Sequence, residues 1–155
     1  MMNRKQKIVA AAAGIIVALG IGTAAISSHN SSPVQGNGQL EELKPLEMKK
    51  FMKEDGTGFI MYSFDDDTRD IYVHEVKKAL KENDVDAKEI YSRNPLYDRS
   101  KSSSYYGVFQ SSDTFAIYKN GEMKQQIDLD KYDPSTLENE LSHFIETSKE
   151  LYFEE

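Results

Sequence analysis

The chain of 155 residues contains no cysteine and no tryptophan. Without cysteine it cannot carry out thiol–disulfide exchange, cannot staple its core with disulfides, and cannot take a cysteine-linked lipid anchor. Other motifs are missing too. No Gly-x-Ser-x-Gly elbow and no phosphate-binding glycine loop is present. The three histidines, His29, His74 and His143, are scattered without a second ligand at zinc spacing. Nothing in the sequence calls for a metal or a cofactor. Low aromatic content is not among the deficits: nine Tyr and seven Phe argue against a disordered chain.

Charge is unevenly spread. Residues 1–27 carry Arg4, Lys5 and Lys7 and no acid, whereas the remainder has 16 basic against 26 acidic residues, a net −10. An acidic domain repels phosphate backbones, so nucleic acid is a poor partner and a cationic peptide or protein a better one.

The basic tail, residues 1–7, is followed by nineteen uncharged residues, 8–26. As a helix these reach roughly 28 Å, close to the ~30 Å hydrocarbon core of a bilayer. The basic flank stays on the cytoplasmic side, which places the C-terminal domain outside. Length favours an uncleaved single-pass membrane anchor. Gly22, Thr23, Ala24 and Ala25 offer a processing site for the alternative, a cleaved signal that would leave the domain secreted. Residues 27–39, rich in Ser, Asn and Gly, read as a flexible tether. Residues 40–155 then make one extracytoplasmic domain, with about 110 residues for a modest core.

Within that domain, Leu43, Leu46, Met48, Phe51 and Met52 recur at helical spacing, which predicts a helix over 40–54 with Pro45 in its first turn. Residues 59–64 are apolar at nearly every position and bounded by Gly58 and Asp65, the pattern of a strand covered on both faces. A helix from 68 or 69 to 82 follows, with Tyr72, Val76, Ala79 and Leu80 as its inner stripe. A strand is expected at 85–91, a long loop at 92–104, and a strand at 114–118. Asn120-Gly121 predicts a type I′ turn returning into a strand at 123–129. Asp133-Pro134 opens a last helix with Asp as its cap. The two helices near 46–52 and 137–145 are expected to cover the sheet face opposite helix 69–82. The whole predicts an α/β domain with a mixed central sheet of about four strands, helices on both faces, and an N-terminal membrane helix.

That order resembles the thioredoxin fold over roughly residues 43–146. The text Asp113-Thr114-Phe115-Ala116-Ile117-Tyr118-Lys119-Asn120-Gly121-Glu122 is similar to the family's cis-proline strand and hairpin, and 59–64 to its central strand. The resemblance places the Cys-x-x-Cys slot on Asp67-Thr68-Arg69-Asp70, the cis-proline slot on Asp113, and the buried acid of the central strand on Met61. With no proline at 113, a trans peptide bond is expected there. The layout of basic tail, span, tether and small domain further resembles membrane-anchored bacteriocin transport accessory proteins of bacteria. Absent thiols, that family's oxidoreductase role does not carry over.

Three functions are compatible with this. The first is a non-catalytic binding module that holds an exported peptide or envelope partner on a rim of Asp67, Thr68, Arg69, Asp70, Tyr97, Tyr105, Tyr106 and Asp113. The second is a structural subunit of a membrane complex, recognised through its span. The third is a carboxylate-based enzyme using Asp67 and Asp70, disfavoured because a helix start keeps both acids ionised. The acids Asp65, Asp66, Asp67 and Asp70 read as a solvated helix start rather than a calcium site, lacking the glycine and distal glutamate of one. Tyr91, Tyr97, Tyr105, Tyr106 and Phe109 bracket the long loop, and serve either as a peptide grip or as caps on the core edge.

Overall fold

The computed structural model describes residues 33–64 and 66–154. The segments read as basic tail and membrane span, residues 27–32 of the segment read as tether, Asp65 and Glu155 lie outside these. Among the described residues no helix is long and apolar enough to cross a membrane.

The elements run β1 (Leu40–Leu43), α1 (Pro45–Lys53), β2 (Gly58–Ser63), α2 (Asp66–Glu82), β3 (Ala87–Tyr91), β4 (Thr114–Lys119), β5 (Glu122–Asp128) and α3 (Pro134–Phe153). Short 3-10 turns occupy Ser103–Tyr106 and Leu129–Lys131. The five strands form one mixed α/β sheet in the order β1-β3-β2-β4-β5. β3 is parallel to both β1 and β2, while β4 is antiparallel to β2 and to β5. As expected, the apolar run is the central strand. Phe59 to Ser63 are all buried, because β2 is flanked by strands on both sides and covered on both faces.

Successive β2 residues feed two separate cores. Phe59 and Met61 pack with Phe115 and Ile117 under Tyr72, Val76, Ala79 and Leu80 of α2 and Leu137, Leu141 and Ile145 of α3. Ile60 and Tyr62 point the other way, joining Ala116, Tyr118, Ile90 and Met48 of α1. Helix α3 therefore shares its face with α2, contrary to the expected pairing with α1. Its Phe144 sits edge-on to the stacked pair Phe59–Phe115, and that aromatic contact fixes the face. The space left beside α1 is filled by Tyr97, Tyr106 and Val108, so the long segment after β3 does the covering that a second helix would do.

Two further expectations need correction. Residues 40–54 are not one helix: Leu40–Leu43 is a fifth strand, and α1 starts at Pro45. The residue before a proline is pushed out of the helical region, and Lys44 is extended at φ −70°, ψ 152°. The stretch read as tether is docked from Val34 onward. Val34 is buried, Gln35 bridges to Val85, and the Asp86 carboxylate accepts from the Asn37 and Gln39 N–H groups at 2.9 and 2.7 Å. One carboxylate with two backbone donors outweighs the polar composition. The hairpin is as expected, with Asn120 at φ 55° and Gly121 at φ 74°. Asp133 caps α3 through its carbonyl, which accepts from the Thr136 and Leu137 N–H groups. Its side chain makes no capping bond.

Candidate functional site

The C-terminal end of β2 is where the chain leaves the sheet and enters α2. A strand that stops inside a sheet leaves polar backbone groups needing partners. Here the Phe64 N–H donates to Asp113 Oδ1 at 3.0 Å, and the Phe64 carbonyl accepts from the Ser92 hydroxyl at 3.1 Å and Arg93 Nε at 3.4 Å. The peptide bonds of the described residues are all trans, the one preceding Asp113 included, and Asp113 stands in the left-handed region at φ 54°. Aspartate tolerates that conformation better than most residues. Its carbonyl accepts from the Leu129 N–H at 2.9 Å, tying the end of β5 to the same corner.

Asp113 thus lies at the end of β2, bonded to Phe64, which stands three residues before Asp67 in the first turn of α2. Two phenols feel its charge. Burial raises the Tyr62 and Tyr72 pKa values, and the Asp113 carboxylate adds to the rise in each. Thr68 hydrogen-bonds the Tyr72 side chain. Asp67 and Asp70 are exposed. Among the described residues no group of three or more His, Asp or Glu is placed to hold a metal ion.

Arg69 behaves differently from its neighbours. It turns inward and forks onto Glu89, with Nε to Oε2 at 2.7 Å and an Nη to Oε1 at 2.8 Å. Its guanidinium lies 4.1 Å from the ring centre of Tyr91, and Glu42 stands 3.7 Å away. These carboxylates hold its pKa above the usual guanidinium value, the hydrogen bond it donates to Glu89 contributing most. Glu89 is only 3% exposed, faces Met61 across the β2–β3 pair, and also accepts from the Ser63 hydroxyl at 2.5 Å. Ser63 is itself fully buried, and Arg69 spans both Glu89 oxygens. A buried acid does exist beside the central strand, then, on the neighbouring strand at 89 rather than at 61. Its sequence signal was the alternation Ala87–Glu89–Tyr91, which puts an acid on the inner face of a strand.

The tyrosines divide. Tyr106 is buried at 3% exposure, and its hydroxyl accepts from the Asp98 N–H at 2.9 Å. The Tyr97 ring packs against it at a tilt of 56°, with ring centres 4.6 Å apart. The Tyr97 hydroxyl is buried beside the Tyr62 phenol without a well-formed hydrogen bond, and burial raises its pKa. Both belong to the core edge. Tyr105 is 42% exposed, under Lys49 at 3.8 Å. The structure therefore gathers Asp67, Thr68, Arg69, Asp70 and Asp113 at one end of β2. Tyr105 is the exposed member of the tyrosine set, on the side of α1. Phe64, half exposed at that strand end, was not singled out by sequence.

Comparison with known proteins matches this chain to no family model and to no curated protein.

Proposed function

We propose that the chain is a membrane-tethered, thioredoxin-like binding module without thiol chemistry. It holds an exported peptide or an envelope partner, of cationic character, on the rim at the end of β2. Several features support the fold reading: the order β1-β3-β2-β4-β5, a helix directly after the central strand, and the Asn120-Gly121 hairpin following Asp113. The observation that carries the functional reading is the content of the thiol slot. Arg69 is taken up by Glu89, and Asp113 accepts from the Phe64 N–H, while the Phe64 side chain is half exposed and Asp67 and Asp70 nearby in the chain are exposed. Such a corner presents an aromatic ring and negative charge to a partner. The span over 8–26 keeps the domain at the outer membrane surface, as the accessory proteins it resembles are kept.

The test is photocrosslinking in intact cells from positions 64, 67 and 113 of the full chain. Adducts with one peptide or envelope protein are expected at all three. Adducts formed elsewhere on the domain and absent at these positions would refute the rim as the binding surface.

A further inference from the structure

A wide concavity lies away from that rim. It lies between β5 and α3, with a volume of about 610 Å³, over Gln125, Ile127, Tyr132, Glu140, His143 and Phe144. β5 ends the strand order and has no strand partner on its outer side among the described residues. The Leu129 N–H points at Asp113 across the sheet. By the two-residue alternation of a strand, the N–H groups of Ile127 and Gln125 point the same way, and those of Gln126 and Asp128 point outward. A seven-residue strand thus offers outward donors and acceptors directly beside a groove with an aromatic floor.

Charge selects the occupant. Lys131 and Asp128 neutralise each other at 2.6 Å, which leaves Glu140 as the lining carboxylate without a cation among the described residues. The surrounding domain is strongly acidic. A second copy of the chain is a poor fit. Antiparallel self-pairing centred on Gln125 sets Glu122 against Asp128 and brings two acidic domains together. We propose that this edge receives an extended basic segment of a partner protein. The segment adds as a sixth strand to β5, with alternate side chains in the groove and a Lys or Arg at Glu140.

The test uses the full chain in an uncharged detergent with two labelled peptides of seven residues, the length of β5. One alternates Lys and Val, the other Glu and Val. Binding is read by fluorescence anisotropy, and its place by amide hydrogen exchange. The Lys/Val peptide is expected to bind more tightly than the Glu/Val peptide and to slow exchange within Glu122–Asp128. Glu140→Gln should weaken it roughly two- to fivefold, as for an exposed ion pair, and Glu140→Lys more. Equal binding of both peptides overturns the proposal. So does protection confined to Phe64 and Asp113, or protection of β5 by self-association without peptide.

Discussion

Replacing Arg69 by methionine removes the guanidinium from Glu89 while keeping the length of the side chain and its helix preference. Glu89 then keeps the Ser63 hydroxyl and loses two charge-assisted bonds of 2.7 and 2.8 Å. Its side chain is 4% exposed, so water does not replace them, whereas Arg69 is 25% exposed. Breaking a buried pair from one side costs about 3–5 kcal/mol. The partial exposure of Arg69 puts this case at the lower end, about 3 kcal/mol. Glu89→Leu leaves instead a guanidinium able to turn toward Glu42 and solvent, and should cost about 1–2 kcal/mol. The double variant leaves only the Ser63 hydroxyl unpaired, at about 1 kcal/mol. The two single effects therefore do not add, with a coupling of about 3 kcal/mol. Urea unfolding of each variant, followed by far-UV circular dichroism because the chain has no tryptophan, gives the cycle. Thermal unfolding of Arg69→Met should fall by roughly 10 °C. An Arg69→Met variant within about 1 kcal/mol of the parent, or additive single effects, would refute the view that Arg69 is held by an enclosed carboxylate.

Asp113→Pro, which restores the residue of the resembled family, should destabilise by at least about 3 kcal/mol. Proline is fixed near φ −65° and the site stands at φ 54°; Asp113→Asn, which keeps an oxygen for the Phe64 N–H, should cost about 1 kcal/mol or less in the same urea assay. Burial pushes the Tyr118 pKa up to about 12 from 10.0, so its stabilising contribution is full below pH 10 and is lost as pH rises toward 12. Urea midpoints taken across that window should fall, and fall less for Tyr118→Phe. Gly121→Ala should cost about 1–2 kcal/mol by thermal unfolding, because the residue stands at φ 74° and a Cβ would lie 2.9 Å from the Met52 carbonyl oxygen.

Strand β2, the parallel and antiparallel partners on its two sides, helix α2 and the Asn120-Gly121 hairpin were legible because each is written in local pattern: an apolar run, a helical stripe, a turn dipeptide. What was not legible depends on long-range choices. Leu40–Leu43 has apolar ends spaced for either element, and pairing with β3 over Ala87–Ile90, with Lys88 on Glu41 at 3.1 Å, selects a strand. The face taken by α3 is decided by Phe144 meeting Phe59 and Phe115, which no sequence window contains. At the candidate site, the convergence of Asp67 and Asp113 on one strand end followed from strand order. That Arg69 would fork onto Glu89, twenty residues away, did not. The reason is burial: an enclosed carboxylate gains more from a guanidinium than a solvated one does.

The two surfaces differ in what they offer a partner. At the end of β2 the backbone is already satisfied, since the Phe64 N–H and carbonyl are taken by Asp113, Ser92 and Arg93. A ligand there cannot add as a strand to Phe64. It meets side chains, chiefly the Phe64 ring and the exposed acids of the first turn of α2, so its affinity should follow residue identity and salt. Along β5 the order is reversed. Among the described residues the outward backbone groups have no strand partner, while Lys124 is paired with Glu122 at 2.6 Å and Lys131 with Asp128. Affinity there should follow the ability of a segment to extend, and a proline within the segment should abolish it by removing a ladder donor. One acidic domain thus has room for a side-chain contact at one strand end and a backbone contact at one sheet edge, and a proline scan of any bound peptide separates them.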